Sequence, residues 1–194
     1  MLADGSMRAY RQLPAESRKR GLPSIGFEVE LPDGIDVTVV DNGATVVRCR
    51  EARGGRTIGE LEIALSPAAL VIDRDGILEQ KASEAIEHDR GRVEPPVAVV
   101  LAGASGYRAG VEAIGRERPA LPYTYAFAMA PHDLVADGCL IVTLRCARHD
   151  WPAAEQMMCS LQVFTRKPSA NDAARASSIE TTSALPLVGR DDDR

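Results

Sequence analysis

Several groups of residues in this chain carry side chains that could do chemistry. Cys139, Cys146, His149 and Cys159 fall close together, and three thiolates with one imidazole would suit a tetrahedral zinc ion. The spacing works against it. Cys139 and Cys146 stand on one expected strand at positions of opposite parity, so alternation turns them to opposite faces. Buried free thiols are therefore expected for Cys49, Cys139, Cys146 and Cys159, with no metal site. No C-x-x-C pair occurs, and a chain with a large core needs no disulfide framework.

Ser105 sits in Gly103-Ala104-Ser105-Gly106. Tyr107 occupies the place of the last glycine of a nucleophile elbow, and the turn joins strand to strand rather than strand to helix. The same glycines lack the pattern and the Lys-Ser/Thr pair of a phosphate-binding loop, so no nucleotide cofactor is expected. Cys146 with His149 would make a nucleophile and base, yet Cys146 shares its face with Leu140, Val142 and Leu144 and reads as a core thiol. His132-Asp133 and His149-Asp150 are acid and base types side by side. They lie at element ends, where surface turns are the expectation and Asp150 serves as a helix cap.

The clearest functional cue is aromatic. Tyr107, Tyr123, Tyr125 and Phe127 are four of the eight aromatic residues and fall on two neighbouring expected strands. On an open sheet face they would form an apolar platform for a peptide or helix. The alternative is that this face packs beneath a helix.

The elements that position these residues can be read from periodicity. Phe27, Val29 and Leu31 alternate with polar residues in a strand over 26–31, closed by the turn Pro32-Asp33-Gly34. Further strands are expected over 36–40 and 45–50 around the hairpin signal Asp41-Asn42-Gly43, and over 58–65 after Gly54-Gly55. Leu78, Ala82, Ala85 and Ile86 then fall at helical spacing, predicting a helix over 77–89 started by Asp75-Gly76 and ended by Gly91. Pro95-Pro96 leads into a short buried strand over 97–101, followed by strands over 107–114, 122–130 and 139–146. A closing helix is expected over 151–163, with Asp150 as N-cap and Met157 and Met158 on its core stripe. Four strands, a helix, four strands and a helix favour α+β with a largely antiparallel sheet over a doubly wound fold.

The chain has 194 residues, of which 45% are hydrophobic and 26% charged, enough for one domain with a real core. The first 22 residues carry five cations against two anions with no hydrophobic periodicity and read as a disordered basic leader. Residues 168–194, rich in Ser, Ala, Thr and Asp, read as a disordered tail, leaving one domain over 23–167. The net charge of −5 disfavours nucleic acid as a partner. No stretch approaches the roughly 20 apolar residues of a membrane helix, and the N-terminal segment has no apolar centre, so a cytoplasmic protein is expected.

The core order resembles the PsbP-like fold, shared by extrinsic photosystem proteins, a Ran-release factor and small bacterial proteins including chaperones of type VI secretion effectors. The cues are the opening FEVELPDG, the mid-chain helix, the strand and small-residue turn of VVLAGASGYRAG, and the hairpin strands and terminal helix of LPYTYAFAMAPHDLVADGCLIVTLRCARHDWPAAEQMMCSLQVF, spanning residues 26–165. The resemblance implies an αβα sandwich and a binder, chaperone or assembly factor rather than an enzyme, and carries no set of functional side chains across. The leading expectation is thus a non-enzymatic, chaperone- or adaptor-like module. It would engage a protein partner through a sheet face or groove, using Tyr107, Tyr123, Tyr125 and Phe127, with a homodimer left open. Two alternatives remain: a small hydrolase or lyase near Ser105, His132 or His149, and a structural subunit of a larger assembly.

Overall fold

The computed structural model describes residues 7–32, 35–42, 45–70, 72–86, 91–114, 120–132, 136–147 and 158–166. In chain order they form β1 (Met7–Gln12), α1 (Pro14–Lys19), β2 (Gly26–Pro32), β3 (Asp36–Asn42), β4 (Thr45–Arg53), β5 (Arg56–Pro67), α2 (Arg74–Glu84), β6 (Gly91–Leu101), β7 (Ala104–Ala113), β8 (Tyr123–Pro131), β9 (Gly138–Cys146) and β10 (Gln162–Phe164). The strands build two sheets, one of seven strands in the order β3-β4-β5-β9-β8-β7-β6 and one of three in the order β1-β2-β10. Every pairing among them is antiparallel, so the chain is α+β with largely antiparallel sheets.

Alternation along the strands creates two cores. One face of the large sheet presents Val47, Ile63, Val142 and Phe127 in register, and Phe27, Val29 and Leu31 of the small sheet close over it. On the opposite face, Leu78, Ala82 and Ile86 of the α2 segment sit on Ala109, Ala126, Ala128 and Ala130. Alanines at alternate positions of β8 make a flat strip that lets the helix approach closely. Beyond α2 the same face carries Arg48 beside Glu62 (2.9 Å) and Arg50 beside Glu60 (2.8 Å), a cross-strand ladder that stays in water.

Several boundaries differ from the sequence reading, each for a physical reason. The expected disordered leader is folded from Met7 onward. β1 pairs with β2 in register, with Arg11 opposite Glu28 and its Nε donating to that carboxylate (2.6 Å). Tyr10 packs its ring 5.9 Å from that of Phe27, and the buried Ser17 hydroxyl donates to the Ile25 carbonyl (2.7 Å). Arg11 of the leader therefore finds an acid on β2, and Arg8 a backbone carbonyl at Ile35 (3.1 Å), which a composition count cannot anticipate. The expected tail, 168–194, lies outside the described residues.

No hairpin joins β2 to β3. β2 and β3 belong to different sheets, so the chain changes layer there. α2 begins earlier than expected, because the Asp73 carboxylate accepts from the Gly76 N–H (3.0 Å) and caps it, leaving Asp75-Gly76 inside the first turn. The helix expected over 151–163 is helical at 158–160, but Gln162–Phe164 is strand β10 on the free edge of β2, with Val163 buried in the core; residues 151–157 lie outside the described residues. Gly54 and Gly55 hold φ of +59° and +77°, the two left-handed residues of a type I′ hairpin turn between β4 and β5. The layering runs α2, large sheet, small sheet among the described residues.

Candidate binding surface

Strand register separates the four aromatic residues. Tyr123, Tyr125 and Phe127 alternate on the β8 face toward the small sheet, whereas Tyr107 pairs across from Ala128 and lies on the α2 face against the helix core. The four therefore do not make one platform. Phe127, 4% exposed, belongs to the core. Tyr123 and Tyr125 pack against the same core but remain partly exposed.

Tyr125 is built into a small constellation. It stands opposite Gly110 on β7, which in turn stands opposite Glu94 on β6. A Cβ at Gly110 would lie 3.0 Å from the Tyr125 ring and 2.9 Å from a Glu94 oxygen, so the missing side chain is what lets the ring lie flat across β7. The Arg108 guanidinium covers the ring at 5.5 Å from its centroid, a cation–π arrangement. Burial, and then the nearby Glu94 carboxylate, push the Tyr125 hydroxyl well above the usual phenol range. It stays a neutral hydrogen-bonding group at any physiological pH. On the same face, Val97 stands opposite Arg108 and is 44% exposed.

β6 itself departs from the sequence reading. The run Val97–Leu101 was expected to be a short buried strand. β6 instead begins at Gly91 and is the edge of the large sheet, with Val93, Val97 and Val100 exposed by 61%, 44% and 68%. An apolar run with no alternation normally signals a central strand; here its position at the end of the strand order, invisible in sequence, leaves it open.

The candidate chemistry resolves differently. Ser105 and His132 come to the same end of the sheet, where the His132 backbone N–H donates to the Gly103 carbonyl (3.0 Å) and Ala104 pairs with Pro131. The Ser105 hydroxyl accepts from Arg74 Nη2 (3.1 Å), a nitrogen that also donates to the Ala130 (2.8 Å) and Pro131 (2.9 Å) carbonyls. This guanidinium straps the start of α2 to the end of β8, and the serine is one of its anchors. The contact holds the serine hydroxyl in place. His149, Asp133 and Asp150 lie outside the described residues.

Cys139 faces the α2 core and Cys146 the opposite core, as alternation along β9 requires, and among the described residues no three His, Cys, Asp or Glu side chains are placed to hold a metal ion. Cys49 and Cys139 are buried thiols whose pKa is pushed up to about 11 by burial. Cys159, expected to be buried, is exposed, because Met158 rather than its neighbour takes the core position. No described helix is long and apolar enough to cross a membrane. No known family model matches the chain, and no curated protein does either.

Proposed function

We propose that this protein is a non-enzymatic binding module, chaperone- or adaptor-like and of PsbP-like kind, that engages a protein partner through the margin of its large sheet. The observation that supports the reading is the Arg108–Tyr125 stack, partly exposed beside Tyr123 and Val97 on one sheet face. Tyr and Arg on a rigid strand lose little conformational freedom on binding and dominate the energetics of protein interfaces. Gly110 is the feature that makes the stack possible, so the backbone is shaped around it. Phe127 and Tyr107 serve this reading as packing residues that hold β7 and β8 in place.

The test compares tagged wild type with Tyr125→Ala and Arg108→Ala in the native host. A stoichiometric partner that binds the purified wild type directly, and binds each variant at least tenfold more weakly with the circular dichroism spectrum unchanged, is the expected outcome. A partner bound equally well by both variants would remove this surface from the proposal.

A further inference from the structure

The outer side of β6 pairs with no described strand, and its last five residues differ from every other described sheet edge. Natural edges carry charge, irregularity or brevity that blocks pairing with another chain. β1 carries Arg8 and Arg11, β3 carries Asp36, and β10 has three residues. Val97-Ala98-Val99-Val100-Leu101 has no charge, and Val97, Ala98 and Val100 are exposed.

The window is bounded at both ends. Pro95-Pro96 stands at its start, where the β6–β7 register shifts between Glu94 and Val97. The two-residue turn Ala102-Gly103 closes its end, with Leu101 paired to Ala104. In such a turn the closing pair directs its backbone groups at each other. Antiparallel alternation then sends the N–H and C=O of Val99 toward β7 and those of Ala98 and Val100 outward.

We propose that this edge pairs with the same edge of a second copy, antiparallel about a two-fold axis through Val99, to make one continuous sheet. In that register Ala98 of each copy faces Val100 of the other, and all their outward N–H and C=O groups bond to one another. Val99 faces its counterpart and Val97 faces Leu101, so every cross-strand pair is apolar. Pro96 falls opposite Ala102, outside the ladder, where its missing N–H costs no bond. Moving the axis to Ala98 sets Val100 against Pro96 and loses that donor. Moving it to Val100 sets Ala98 against Ala102, whose carbonyl already accepts from the Val163 N–H (3.4 Å). The window is thus complementary to itself in one register, which gives a closed, isologous dimer rather than an open fibre. Because the axis is normal to the sheet, both Arg108–Tyr125 stacks lie on the same side.

The test is sedimentation equilibrium of the full chain at a series of concentrations, with Ala98→Pro, Val100→Lys and, as a control outside the window, Val93→Lys. Proline at 98 removes only an outward N–H and leaves the β6–β7 ladder intact. The expected result is a wild-type dimer, unaffected by Val93→Lys, with Ala98→Pro weakening association about thirtyfold through its two symmetric lost bonds and Val100→Lys giving a monomer, the circular dichroism spectrum being unchanged in both. In a Cys159→Ser background, Val99→Cys should form a disulfide-linked dimer on mild oxidation, since facing residues at that kind of position stand about 4.5 Å apart at Cα. A wild type that stays monomeric at high concentration overturns the proposal and leaves the edge to a foreign strand. A dimer that persists in both Ala98→Pro and Val100→Lys overturns it in favour of another surface. Neither result bears on whether Tyr125 binds a partner.

Discussion

Truncating Leu78 to alanine tests how α2 is held on the large sheet. Leu78 is fully buried, central on the inward side of α2, and sits on a strip made of Ala109, Ala126, Ala128 and Ala130. Leu→Ala substitutions in such cores cost about 2.7–5 kcal/mol, the lower values coming where neighbours collapse into the space. Alanines cannot collapse, having no torsions to turn, and the Arg74 strap to Ala130 and Pro131 keeps the start of the helix from sinking toward the sheet. The cost should therefore lie in the upper part of the range, about 4 kcal/mol. For a protein of this size a urea slope of about 2 kcal/mol/M turns that loss into a midpoint lowered by about 2 M. Glu79→Ala, on the exposed side of the same helix, should change stability by less than about 0.5 kcal/mol. Equilibrium urea unfolding followed by circular dichroism measures both. A Leu78→Ala variant losing less than about 1 kcal/mol would refute the docking of α2 on the alanine strip.

Two further outcomes follow from the same geometry. Gly110→Ala should force the Tyr125 ring and Glu94 apart, lowering stability by about 1–2 kcal/mol and altering the near-ultraviolet circular dichroism signal of Tyr125; an unchanged spectrum would show that the ring does not depend on that vacancy. Stability should also fall in alkali. The folded thiols of Cys49 and Cys139 hold their protons up to about pH 11 because burial disfavours the thiolate, whereas in the unfolded chain they titrate near 9.0, as an ordinary solvated thiol does. The unfolded state thus binds fewer protons above about pH 9, so stability present below that pH is lost as pH rises toward about 11, at up to about 1.4 kcal/mol per pH unit for each thiol. Replacing both by alanine should flatten that slope in urea titrations run between pH 8 and 11.

The strand-and-helix order over 26–146 is legible in the chain because it rests on local periodicity. Phe27, Val29 and Leu31 alternate whatever lies above them, and Leu78, Ala82 and Ile86 fall on one helical side. The split of the aromatic residues was in part legible as well: Tyr123, Tyr125 and Phe127 must share a face by parity. That Tyr107 takes the other face depends on the register Tyr107 opposite Ala128, which is set by contacts between strands. β1 was hidden because its stabilising partners, Glu28 and Phe27, lie on another element and its own pattern is that of an edge strand with little to bury. The terminal strand β10 was hidden because three residues are too few to show a period.

Over 26–146, local sequence thus determined which segments become strands and which a helix, which parity each strand buries, and where glycine permits a turn or a close approach, because these depend on residues within a few positions of one another. Tertiary structure alone decided that β2 leaves the sheet of its neighbour β3, that Val97–Leu101 lies at an edge rather than in the middle, and that Arg108 meets Tyr125 over Gly110. Those outcomes are contacts between residues far apart in the chain, chosen by the joint burial of two cores that no single segment encodes.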